Sequence, residues 1–85
     1  MMREFVLYMK PGCHLCHEAA TLLENLRAQY GFFVKEIDIT LDPSLEAEYG
    51  ESIPVVELEG RLILAAPFGE ATARKVITRV LEQRP

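Results

Sequence analysis

The sequence predicts a three-layer α/β domain built on a four-stranded mixed sheet, with elements in the order βαβαββα. Three observations carry this. Phe5 to Met9 is apolar on both parities, as expected of a central strand covered on both faces. A long helical stripe then separates it from a second strand, and strand, helix, strand implies a right-handed parallel crossover. Later, two apolar runs flank the dipeptide Glu59-Gly60 and are followed by a second amphipathic stripe, the form of a β-hairpin and a closing helix.

The first strand is expected over Arg3 to Met9, ending at Pro11 and Gly12. Leu15, Ala19, Leu22, Leu23, Leu26 and Tyr30 recur at helical spacing, and Gly31 stands where a helix stops. Phe32 to Ile39 reads as the second strand, with Phe33, Ile37 and Ile39 on one parity and mostly polar residues on the other. Asp42-Pro43 has the form of an N-cap followed by proline at the first helical position, opening a brief helix to Tyr49 and Gly50. Val55 to Leu58 and Arg61 to Leu64 form the antiparallel pair. Ala73, Val76, Ile77, Val80 and Leu81 give the last helix its apolar stripe, leaving Arg74, Lys75 and Arg79 for solvent.

At 85 residues the chain is shorter than a typical domain of ~100–200 residues, so residues 1–85 are expected to form one domain. The composition, 49% hydrophobic and 26% charged, suits a packed core rather than disorder. Nine Lys and Arg against 13 Asp and Glu leave a net charge of -4, which disfavours nucleic acid as a partner. The apolar run Phe5 to Met9, which none in the chain exceeds, is far short of the ~20 residues that span a bilayer, so no membrane role is expected. That run also lacks the length and cleavage site of a secretory signal, and a cytoplasmic location is expected.

The chain has two cysteines, Cys13 and Cys16, too few for the disulfide framework of a small secreted scaffold. They fall where the first strand hands over to the long helix. Inside a regular helix, residues three apart hold their Cβ atoms ~5–6 Å apart, beyond the ~3.5–4.5 Å of a disulfide. A pair straddling the helix start escapes that limit if Cys13 takes the non-helical cap position. As a staple it would do little, since the loop-entropy relation gives roughly 1.9 kcal/mol for a four-residue loop against ~3 for fifteen residues. A helix start does favour an anion through its free N–H groups and the macrodipole, which marks Cys13 as the nucleophile. His14 and His17 are candidates for tuning its pKa, or are exposed helix-face residues; Glu18 would oppose a thiolate.

Lys10-Pro11-Gly12-Cys13-His14-Leu15-Cys16, the Ile53-Pro54 dipeptide and the βαβαββα order together resemble the glutaredoxin branch of the thioredoxin superfamily, over nearly the whole chain. The resemblance implies a thioredoxin-like, glutaredoxin-type sandwich acting in cell redox homeostasis and electron transport. By it Cys13 attacks a disulfide and Cys16 resolves the mixed disulfide, Pro54 is a cis-proline against the active site, and Ile53 offers backbone groups to an extended substrate. Lys10 matches the family's lysine for the glutathione carboxylate. Where glutaredoxins carry Gly-Gly and a nearby Asp after the last strand, this chain reads Ala65-Ala66-Pro67-Phe68-Gly69-Glu70, and His14-Leu15 replaces Pro-Tyr between the cysteines.

The expected function is therefore a dithiol-disulfide oxidoreductase that acts as a monomer with no tightly bound cofactor or metal. Its partners would be a disulfide-containing protein or small-molecule thiol, with glutathione or a thioredoxin-reductase-type enzyme as reductant. Two alternatives stay open. One is a metal or iron-sulfur carrier using the two thiolates, and the other is a redox-inactive thioredoxin-like binding module.

Overall fold

Apolar residues of matching parity on three strands set the architecture. The computed structural model describes residues 3–83. Its elements are β1 (Glu4–Met9), α1 (His14–Tyr30), β2 (Phe33–Asp38), α2 (Pro43–Tyr49), β3 (Val55–Leu58), β4 (Arg61–Ala65) and α3 (Glu70–Glu82), with a 3-10 turn over Ile39–Leu41. The sheet order is β2-β1-β3-β4. β1 runs parallel to β2 and antiparallel to β3, and β3 and β4 form the hairpin, so the sheet is mixed as expected.

One face of the sheet carries the core. Phe5 and Leu7 of β1, Val56 and Leu58 of β3 and Leu64 of β4 share it and pack against Ala19, Leu23 and Leu26 of α1 and Ala73 and Ile77 of α3. Phe32 closes this core with its ring 4.7 Å from that of Phe5, in an edge-to-face arrangement. Each such large apolar side chain contributes about 1.5–3 kcal/mol through burial. On the opposite face lie Val6, Tyr8, Val55 and Glu57, covered by α2, whose seven residues include none that is fully buried. Helices on both faces make the three layers.

Local chemistry explains the joints. Gly31 ends α1 by donating its N–H to the Arg27 carbonyl (2.8 Å). The carboxylate of Asp42 accepts from the N–H groups of Ser44 and Leu45, and Pro43 opens α2, as the sequence suggested. In the hairpin both Glu59 and Gly60 have positive φ (53° and 82°), the backbone of a type I′ turn, whose twist matches that of the strands. A bulge follows: Val56 pairs with Leu64 but Glu57 with Leu62, so the extra residue Ile63 turns toward the core beside Leu64.

The second strand differs from the expected pattern. β2 stops at Asp38, whose carboxylate accepts from the backbone N–H of Thr40 (2.9 Å) and draws Ile39 into the 3-10 turn, where it is buried. The register Phe5 to Val34 places Val34 on the core face and sends Phe33 to the thinly covered one, where it is 54% exposed. Phe32, just before the strand, is the buried aromatic.

A dithiol-disulfide site at the start of the first helix

Behind β1 the chain must turn sharply to enter α1. Gly12 makes the turn with φ of 77°, a conformation that costs glycine nothing. Cys13 then takes the N-cap position in extended backbone (φ −93°, ψ 110°), and its Sγ accepts the N–H of Cys16 at 3.1 Å. Sulfur thus fills the capping role usually played by a side-chain oxygen. Cys13 and Cys16 are joined as a disulfide with Cα atoms 5.2 Å apart, within the usual ~4.4–6.8 Å.

The two sulfurs live in different surroundings. Cys16 is only 2% exposed, whereas Cys13 is half-buried at the tip of the helix. An attacking group from solvent therefore meets Cys13 first.

Lys10 is exposed, and among the described residues it makes no ion pair. Both histidines are exposed. His14 reaches along the helix toward Glu18, with Nε2 3.6 Å from the carboxylate one turn on, so Glu18 belongs to the second turn and faces His14. Among the described residues no three His, Cys, Asp or Glu side chains gather in a way that could hold a metal ion, so the carrier alternative finds no three-ligand set within one chain.

Antiparallel pairing of Tyr8 with Val55 sets buried Pro54, just before β3, level with the end of β1, and it lines one groove with Leu15. The Ile53-Pro54 bond is cis, and so is Ala66-Pro67. Ile53 donates its N–H to the Tyr49 carbonyl (3.1 Å), which also accepts from Ser52 (2.8 Å). Among the described residues the Ile53 carbonyl accepts no hydrogen bond, so the backbone group it leaves open is the acceptor.

Tyr49 is itself anchored from behind. Its hydroxyl donates to Glu57 (2.6 Å), whose other oxygen accepts from the Tyr8 hydroxyl (2.9 Å), and the two rings lie 4.7 Å apart. The hydrogen bond to Glu57 and then burial push the Tyr49 hydroxyl well above its ordinary value, and burial followed by the bond to Glu57 raises Tyr8. Nothing in the sequence pattern pointed to this cluster beyond a lone glutamate in an apolar strand.

A groove of about 500 Å³ runs from Leu15 and Pro54 between α1 and the segment joining β4 to α3. Leu22, Pro67 and Phe68 supply further apolar wall, His17 lines it from α1, and Glu18 and Glu70 bring carboxylates. Leu15, between the cysteines and expected on the apolar stripe of the helix, is instead 51% exposed at its mouth, because it lies in the first turn of α1. Lys10 does not line the groove.

Among the described residues no helix is long and apolar enough to cross a membrane. The structure is similar to that of protein XcR50 from X. campestris (TM-score 0.72, 33% identity, 88% of this chain and 96% of that one). It is also similar to Ne2328 from Nitrosomonas europaea (TM-score 0.74, 25% identity, 88% and 91%). Thioredoxin 1 from Thermosipho africanus shares the fold, with a TM-score of 0.70 at 18% identity over 93% of this chain and 94% of that one. In sequence the chain is 38% identical over 60 residues to the uncharacterized protein Rv0508 of Mycobacterium tuberculosis, an alignment that takes in 65% of this chain and spans 62% of the length of that relative. Residues 4–81 match the glutaredoxin-like domain family (DUF836), and with a Cys-x-x-Cys disulfide at the start of α1 of a thioredoxin-like fold, the chain belongs to that family.

Proposed function

We propose that the chain is a dithiol-disulfide oxidoreductase, and the observation that carries this is the unequal disulfide, one sulfur half-exposed at a helix cap and the other buried behind it. In the reduced protein the Cys13 thiolate attacks one sulfur of a substrate disulfide. That S–S bond breaks, the departing substrate sulfur takes a proton, and a Cys13-substrate disulfide remains. The Cys16 thiolate then attacks Cys13 Sγ, closing the Cys13–Cys16 bond and releasing the second substrate thiol. Two electrons pass from protein to substrate.

Reactivity requires an acidic Cys13. Moving a thiol from pKa ~8.5 to ~7 takes about 2 kcal/mol of thiolate stabilisation. The helix macrodipole typically gives ~0.3–1 kcal/mol, and the Cys16 N–H, which bonds Cys13 Sγ in the disulfide, would give the thiolate a charge-assisted hydrogen bond of ~1.5–3 if the geometry persists on reduction. These sum to what is needed without either histidine.

Leu15, Pro54 and Phe68 favour a substrate that brings an apolar side chain, and the free Ile53 carbonyl offers an acceptor for a backbone N–H of an extended segment. Glu18 and Glu70 would repel the two carboxylates of glutathione, among the described residues the groove lining includes no Lys or Arg and only His17 as a basic side chain, and Lys10 lies outside it. The reading is therefore a protein disulfide as substrate, for a monomer without tightly bound cofactor. The dithiol is recycled by glutathione or by a thioredoxin-reductase-type enzyme, and such cycling suits the reducing cytoplasm.

Reduction of a protein disulfide by the purified chain tests this, with each reductant supplied in turn. Cys13→Ser is expected to abolish turnover, and Cys16→Ser to accumulate a mixed disulfide through Cys13. Full activity in Cys13→Ser together with loss in Cys16→Ser would reverse the roles.

A further inference from the structure

Far from the cysteines, at the end of the sheet where β1 begins, a second groove of about 350 Å³ lies between the hairpin and the C-terminal half of α3. Cys13 lies in the turn beyond the Met9 end of β1 and Arg3 precedes its first residue, so the two sites sit at opposite ends of that strand, whose six residues span roughly 20 Å. The groove falls within the ~300–1,000 Å³ range of ligand sites.

Its floor is apolar, formed by Leu58, Ile63, Val76 and Val80. Its rails are cationic: Arg3 and Arg61 on the sheet side, Lys75 and Arg79 one turn apart on α3. Glu59 is the single acid in the lining, and it is held by Arg3 at 3.2 Å. Arg3 is further fixed by donating to the Val80 carbonyl at 2.7 Å. Among the described residues Arg61, Lys75 and Arg79 make no ion pair. Four cations and one acid give the groove a local charge of +3 in a chain of net −4, so the rest of the molecule carries −7. Favourable placement near a helix C-terminus accounts for Arg79 but not for Arg61 or Lys75.

We infer that this groove is a second binding site, for a short acidic polypeptide segment that places an apolar side chain on the floor and carboxylates against the two rails. From Lys75 to Gln83 the helix rises ~12 Å, the reach of about four extended residues. A small anion would leave most of that length bare. A long polyanion such as a nucleic acid, or an anionic membrane surface, would meet repulsion from the strongly negative remainder of the molecule. A partner held here leaves the Cys13–Cys16 end open to react, and the site stands whether or not the chain is an oxidoreductase.

The test is fluorescence anisotropy of the oxidised protein with a labelled eight-residue peptide alternating Glu and Leu, at low salt, with groove signals followed by NMR. Binding is expected to perturb Ile63, Val76 and Val80. Arg79→Glu and, separately, Arg61→Glu should weaken it by about tenfold each, as should raising the salt several-fold. Lys35→Glu, the same charge change on β2, should alter it little, and all three variants should keep wild-type circular dichroism and disulfide-reductase rates. Equal weakening by Lys35→Glu, no shift in the groove signals, or tighter binding of single-stranded DNA or of phosphatidylglycerol vesicles than of the peptide would overturn the inference.

Discussion

The two faces of the sheet are built to different standards. Toward α1 and α3, Phe5, Leu7, Val56 and Leu58 are at most 4% exposed and belong to one apolar cluster. Toward α2 the covering helix is short, Phe33 and Leu62 are each 54% exposed, and the middle of the face is held by the polar Tyr8–Glu57–Tyr49 cluster. Burial on the first face supplies the stability that holds β1 and α1 in place, and so the cysteines at their junction. The second face holds a loop: Tyr49 links the cluster to the Ile53-Pro54 segment through its carbonyl. The contrast teaches that the cysteine pair and the Ile53-Pro54 segment are supported from opposite sides of the sheet.

The contrast breaks most visibly in the core. Leu26→Ala, at a fully buried site, is expected to cost ~2–5 kcal/mol in urea unfolding, whereas Leu62→Ala on the second face should stay within ~0.5 kcal/mol. Similar losses at the two positions would mean that the faces share the load. A smaller effect is expected from Tyr49→Phe, which removes one hydrogen bond to a charged acceptor on a half-buried side chain and should cost about 1 kcal/mol. In reductase assays it should raise KM for a protein disulfide more than it lowers kcat if, as proposed, substrate pairs with the Ile53-Pro54 loop, which the change loosens while leaving Cys13 untouched.

The smallest signal is one of pH. Tyr49 and Tyr8 have hydroxyl pKa values raised in the folded protein, so above pH ~10 the unfolded chain releases protons that the folded one keeps. Stability is fully present below pH 10 and falls as pH rises beyond it. Urea midpoints measured from pH 8 to 11 should show this decline, and Tyr49→Phe should flatten it. An unchanged slope in the variant would remove Tyr49 from the cause.

Much of this was legible in the residues because the signals were local. Asp42-Pro43 caps its own helix, Glu59-Gly60 makes its own turn, and the Cys13 cap needs only the start of α1. The exchange of Phe32 for Phe33 was not, because Phe32-Phe33-Val34 is apolar on both parities and pairing with β1 decides which side faces the core. The groove beside the cysteine helix joins Leu15 to Phe68 across the fold, and the cationic groove joins Arg3 to Arg79; neither juxtaposition exists until the sheet forms. Ile53 could be picked out by its place before Pro54, but the loss of its N–H to Tyr49 depends on how α2 ends.

The reactivity of Cys13 in the reduced protein tests the central claim most directly, measured as its rate of alkylation by iodoacetamide at pH 7. A thiol shifted from pKa ~8.5 to ~7 gains about fifteenfold in thiolate fraction and loses about fivefold in intrinsic nucleophilicity. Cys13 should thus react about threefold faster than free cysteine, with buried Cys16 slower than either. Labelling of Cys13 no faster than free cysteine, or of Cys16 ahead of it, would contradict the account.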